Sequence, residues 1–110
     1  MTTLEKVRKL ERYLALFNPD TEPVIDKAID KLLNKEGARL HSIEMTLRTQ
    51  LADFEKKYRM STDLFRQRFE RGELGDDIDY MEWDATREML INAQRHLCLL
   101  TEEIGDEPAH

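Results

Sequence analysis

From Leu40 the apolar residues Ile43, Leu47, Leu51, Phe54 and Tyr58 follow at steps of three and four. That spacing averages close to the seven-residue repeat of helices wound against one another. It puts all six side chains on one face of a helix, and a face so apolar has to be covered. Little interrupts the chain: it has 4 Gly and 3 Pro in 110 residues, which favours a few long elements over many short strands. The same stripe starts earlier, at Ile25, Ile29 and Leu32, and has one gap, where Glu36 and Gly37 stand. Either one helix runs through, at a cost of about 1 kcal/mol for the glycine, or a turn breaks it there. The absence of proline between Asn34 and Arg39 favours continuity. A continuous helix over about 24–60 measures roughly 55 Å at about 1.5 Å per residue. A compact domain of this size has a radius of gyration of only about 13 Å. The helix therefore outruns a globule, and Leu40, Ile43, Leu47, Leu51, Phe54 and Tyr58 are expected to pair with a second copy in a homodimer.

The flanking elements read as helices too. Leu4, Val7, Leu10, Leu14 and Phe17 form one stripe of a helix over about 1–17, which Asn18-Pro19-Asp20 stops. Asp20 or Thr21 is the expected cap of the long helix, with Pro23 tolerated in its first turn. Ser61 or Thr62 caps a short helix over about 62–71, which carries Leu64, Phe65 and Phe69. Gly72 stands where a left-handed terminating residue belongs. Asp76 or Asp77 caps a last helix over about 77–104. Its stripe is Ile78, Trp83, Leu90, Ala93, Leu97, Leu100 and Ile104, with Met81, Ala85 and Met89 alongside. Gly105 ends it and 106–110 reads as a frayed tail. No segment shows sustained apolar/polar alternation. The expectation is one all-α domain over 1–110, an elongated helical hairpin of coiled-coil character.

Charge divides the chain at Gly72. Up to Arg71 there are 15 Lys/Arg against 12 Asp/Glu; beyond it only Arg87 and Arg95 stand against 11 acids. The total of −6 argues against a general nucleic-acid coat, which needs clustered cations. Lys6, Arg8, Lys9 and Arg12 are the nearest approach to such a cluster, and Glu5 flanks and Glu11 interrupts it. DNA contact stays open only because a dimer could double that patch. The single cysteine, Cys98, allows no internal disulfide and points to a reducing compartment. No signal peptide or membrane-length apolar run is visible, so the expected location is the cytoplasm.

Catalytic and metal chemistry finds little support. Asp77 and Asp79 have the alternate spacing of a calcium loop but run into Tyr80 and Met81 with no following glycine. Asp76, Asp77, Asp79, Glu82 and Asp84 read as capping acids opposing a helix dipole, and equally as an acidic surface for a basic partner. His41, His96 and His110 form no pair at helical ligand spacing, and His96 and Cys98 point to different faces. Cys98 reads as a small core or interface residue. The Arg-to-His spacing of all-helical HEPN ribonucleases is absent, as are a phosphate loop and H-E-x-x-H. A non-enzymatic chain without cofactor or metal is expected. The richest set is Phe65, Phe69, Tyr80 and Trp83, read either as a local core or as the anchor of a partner surface. Arg66, Arg68 and Arg71 are placed to pair with the acids that follow Gly75.

Phe65-x-x-x-Phe69-Glu70-Arg71-Gly72-Glu73-Leu74-Gly75-Asp76-Asp77-x-Asp79-Tyr80-x-Glu82-Trp83 is preceded by Phe54-Glu55-x-x-Tyr58-x-Met60-Ser61. Together with Pro23 to Leu33, this resembles a family of small helical prokaryotic proteins found as the antitoxin-like half of two-gene toxin–antitoxin modules. The resemblance covers roughly residues 23–100. It implies a chain that binds and neutralises a small cognate toxin, with possible repression of its own operon. The contact residues expected from this segment are Phe65, Arg68, Phe69, Asp76, Asp77, Asp79, Tyr80 and Trp83. The alternative is a structural coiled-coil dimer or adaptor with no toxin partner.

Overall fold

The computed structural model describes residues 1–16 and 23–101. The chain is all-α: α1 spans Thr3–Ala15, α2 Pro23–Tyr58, α3 Thr62–Glu70 and α4 Ile78–Thr101, with no strand among the described residues. Phe17, the Asn18-Pro19-Asp20 stop, the Asp20 or Thr21 cap, Ile104, Gly105 and the 106–110 tail lie outside the described residues. No helix among those described is long and apolar enough to cross a membrane.

α1 opens with a capping box. Thr2 accepts from the Glu5 backbone N–H, and the Glu5 carboxylate accepts from the Thr2 N–H at 2.7 Å. The reciprocal bonds satisfy two otherwise orphaned donors and hold the Glu5 carboxyl below its usual range. α2 runs unbroken through Gly37. Glu36, which fills the gap in its stripe, pairs with Arg39 one turn on, so its charge is satisfied on the helix surface.

Packing groups the chain into two units, Met1–Lys35 and Glu36–His110. In the first, no described residue is buried: Leu10, Leu14, Ile25 and Ile29 are half-buried and the remaining aliphatic side chains are exposed.

The second unit holds the core. Its helices α2 and α4 run antiparallel: Glu44 meets Gln94, Phe54 meets Trp83 and Tyr58 meets Tyr80, one numbering rising as the other falls. Leu47, Leu51, Phe65, Trp83, Leu90 and Ala93 are buried together, with Ile43, Phe54, Tyr58, Met60, Phe69, Leu74 and Tyr80 packed around them. This corrects the self-association reading. Ile43, Leu47, Leu51, Phe54 and Tyr58 are covered by the chain's own α3 and α4, and Leu40 is buried as well. The apolar face that called for a second copy has its cover within one chain. On α4, Ile78 lies outside the buried stripe and is exposed, while Thr86 takes a buried place by returning its hydroxyl to the Glu82 carbonyl at 2.8 Å. Cys98 is exposed, not a core residue.

Two left-handed residues make the corners. Gly72, at φ 70°, ends α3 in a Schellman arrangement: Glu73 N–H reaches the Arg68 carbonyl and Gly72 N–H the Phe69 carbonyl. Arg59, at φ 55°, turns the chain from α2 into α3. A side chain there costs roughly 1–2 kcal/mol that glycine avoids, partly offset by glycine's greater freedom when unfolded. We therefore expect Arg59→Gly to be neutral or to stabilise by up to about 1 kcal/mol and Gly72→Ala to destabilise by about 1 kcal/mol. Urea unfolding followed by the fluorescence of the single tryptophan checks both.

Candidate functional site

Every aromatic residue beyond Phe17 enters one cluster that ties α2, α3 and α4 together. Trp83 of α4 stacks on Phe65 of α3 at 4.0 Å between centroids and 3° between planes, and on Phe54 of α2 at 5.5 Å and 10°. Tyr58 stacks on the same indole at 5.7 Å, Phe69 on Phe65 at 5.3 Å, and Tyr80 closes the set against Tyr58 and Phe65. Phe65 and Trp83 are both 0% exposed.

A buried indole must place its N–H. Trp83 Nε1 donates to Thr62 Oγ1 at 3.1 Å, and that hydroxyl donates to Glu55 Oε2 at 2.9 Å. The same carboxylate oxygen accepts the Thr62 backbone N–H at 2.8 Å. Glu55 thus satisfies an orphan donor of α3 from a different helix. Of the two cap candidates, Ser61 fills the N-cap position, accepting from Leu64 N–H at 3.1 Å, and Thr62 serves as the relay to Trp83.

A second polar knot binds the start of α4 to the end of α2. Asp77 is the cap, accepting the Asp79 N–H at 2.9 Å. Asp79 Oδ2 accepts from Tyr58 Oη at 2.5 Å and from Lys57 Nζ at 2.6 Å. The Lys57 bond, then the Tyr58 bond, hold the Asp79 carboxyl below its ordinary 3.8. The bond to Asp79 holds the Tyr58 phenol above 10.0 and the Lys57 ammonium above 10.5.

These contacts sort the expected partner residues. Phe65 and Trp83 are sealed in the core, so neither presents surface to a partner in this structure. Phe69 and Tyr80 are half-buried against them. Asp77 and Asp79 are engaged within the chain, whereas Arg68 and Asp76 are exposed. The arginines of α3 do not reach across to the acids after Gly75: Arg66 pairs with Glu70 on its own helix, and Arg71 lies 3.6 Å from Glu73. Lys57, Glu55 and Thr62 carry the polar contacts and stand outside the set of site residues that the sequence suggests. No local pattern marks Lys57 or Glu55, since their partners lie about 22 and 7 residues away. Among the described residues no group of His, Cys, Asp and Glu is placed to hold a metal ion.

The face of the α2–α4 pair away from α3 carries an open groove of about 530 Å³. Phe54, Ala85, Thr86 and Met89 supply its apolar surface, Asp53 and Glu82 stand along it as acids, and the Lys57–Asp79 pair closes one end. A smaller groove of about 330 Å³ beside α3 is bordered by Arg48, Glu55, Asp63 and Arg87, so its charges balance. Arg87 Nε is shielded there without a hydrogen bond, 3.5 Å from Asp84 Oδ1. Comparison with protein-family models, curated proteins and solved structures gives no significant match to this chain.

Two outcomes follow. Trp83→Ala removes the largest core side chain and strands Thr62, so we expect a loss of about 3–5 kcal/mol in a denaturant titration followed by far-UV circular dichroism. Asp79 has a folded pKa below its unfolded one, so its contribution is present above pH 3.8 and is lost as pH falls through the lower folded value. Tyr58 and Lys57 have raised values, so theirs is present below about pH 10 and lost as pH rises through the folded values. Thermal midpoints measured across pH should therefore decline at both extremes, and Asp79→Asn should flatten both declines.

Proposed function

We propose that this chain is a non-enzymatic protein-binding module of the cytoplasm, an antitoxin that neutralises a small cognate toxin by seating a basic segment of it in the α2–α4 groove. The observation that carries the reading is the groove itself: an accessible apolar floor beside the acids Asp53 and Glu82. Met89 is 55% exposed there and unbranched, so it adapts to an incoming side chain. The charge division supports a cationic partner, since Gly72 onward carries 11 acids against two arginines. The resemblance of the Phe54–Trp83 region to antitoxin-like proteins of two-gene prokaryotic modules points the same way. In this reading Phe65 and Trp83 act as scaffold: they hold α2 and α4 at the separation that makes the groove.

Co-expression with the product of the adjoining gene tests the proposal. Growth arrested by that product should be restored by the wild-type chain. Ala85→Arg fills the groove from an exposed helix position and should abolish rescue, with at least a tenfold loss of affinity, while leaving the circular dichroism unchanged. Failure of the wild-type chain to rescue would favour a structural coiled-coil adaptor without a toxin partner. Full rescue by Ala85→Arg would remove the groove from the mechanism.

A further inference from the structure

Arg87 of α4 is a cation held largely out of water. Its side chain is 13% exposed, and its Nε is buried without a hydrogen bond. The nearest carboxylates are Asp84, 3.5 Å from Nε, and Glu88, 4.0 Å from a terminal nitrogen. Both stand on its own helix and give it charge contact without a hydrogen bond. A shielded guanidinium carries five N–H donors in a fixed fork, and leaving such donors unpaired costs more than a made bond gains. Two hollows meet at this side chain: the groove of about 330 Å³ beside α3, and another of about 280 Å³ bordered by Arg66 and Asn92. Arg87 and Ile91 line both.

The lining of the larger hollow narrows what it can take. Arg48 borders it from α2; its pair with Glu44 is an i,i+4 contact of an arginine 58% exposed, so turning it toward a ligand costs little. Leu51 and Leu90, each 8% exposed, and Ile91, 39% exposed, supply an aliphatic wall. Thr62 and Glu55 are committed to one another and to Trp83, so they offer nothing to the amides of a peptide. Asp63, Asp84 and Glu88 stand around Arg87 and oppose a second negative charge.

We propose that this groove binds a small aliphatic monocarboxylate. The fork of Arg87 matches the two oxygens of a carboxylate, Arg48 closes over them, and the carbon chain lies along Leu51, Leu90 and Ile91. The volume sits at the low end of what small-molecule sites span. The site shares no residue with the α2–α4 groove and does not depend on what that groove binds.

An NMR titration of the isotope-labelled full chain with sodium hexanoate tests the proposal, with sodium chloride holding the ionic strength constant. The Arg87 Nε–H resonance and the Ile91 backbone amide should move together and saturate, with a dissociation constant of about 1 mM. Hexanamide, which has the same carbon chain and no charge, should leave both in place. Inorganic phosphate should bind at least about tenfold more weakly. Arg87→Lys keeps the charge and loses the fork, so hexanoate affinity read at Ile91 should fall at least about tenfold, with the urea transition of Trp83 fluorescence checking the fold. Ile91→Glu, at an exposed position one turn beyond Arg87, supplies a carboxylate from the chain itself. It should shift the Arg87 Nε–H resonance without ligand and abolish the response to hexanoate. The proposal is overturned if hexanoate moves neither resonance, if hexanamide or phosphate acts equally, or if Arg87→Lys or Ile91→Glu binds hexanoate as the wild type does. Tighter binding of an acetylated dipeptide acid than of hexanoate would also overturn it, and would give the site to the C-terminus of a protein chain.

Discussion

The face-to-face contact of Trp83 with Phe65 is the interaction on which the core of the second unit depends. It joins α4 to α3, and through Phe54 and Tyr58 it joins both to α2. Aromatic area supplies most of the stabilisation, but stacking alone leaves rings free to slide. The bond from Trp83 Nε1 through the Thr62 hydroxyl to Glu55 removes that freedom, because each donor in the relay has one acceptor. Glu55 also accepts the first backbone N–H of α3, so the start of that helix and the orientation of the indole are set by one carboxylate. The short α3 has only nine residues and would not persist alone.

The groove shares Phe54 with the aromatic cluster, and Ala85 of α4 lines it with a small side chain. α3 covers only one face of the pair. The opposite face is left with an apolar floor and acids at its edge, and the Lys57–Tyr58–Asp79 knot pins its end. Of the residues that line the groove, Thr86 is buried and Phe54 half-buried, while Asp53, Glu82, Ala85 and Met89 are exposed positions of the two helices.

This division accounts for which site residues could be read from the chain. Phe65, Phe69, Tyr80 and Trp83 stand out by composition, and they form the aromatic core. Asp53 is unremarkable in sequence and Ala85 and Met89 read only as neighbours of the α4 stripe, because what makes them a surface is the register of α2 against α4, which pairs Phe54 with Trp83 and Glu44 with Gln94. Asp79 was conspicuous as one acid in a run, yet its role is set by Lys57 and Tyr58 from another helix. Local signals fared better where the physics is local. Gly72 adopts the left-handed turn that its place at the end of α3 demands, and one of the two aspartates before α4 caps it. Thr2 and Glu5 form a capping box, a local signal that the reading of α1 from its apolar stripe leaves out.

The amino-acid sequence by itself determined the helices: their number, their approximate limits and the continuity of α2 through Gly37, since periodicity, caps and the scarcity of glycine and proline act within a few residues. It also determined that the stripe from Leu40 to Tyr58 had to be covered. Only the tertiary structure decided by what. The heptad-like spacing is the same whether the covering helix belongs to a second copy or arrives later in the same chain, because hydrophobic burial has no preference for connectivity. Here the turns at Arg59 and Gly72 bring α3 and α4 back onto α2, and the cover comes from within. The stripe on α1 and the first turns of α2 is the earlier one, and none of its described residues is buried.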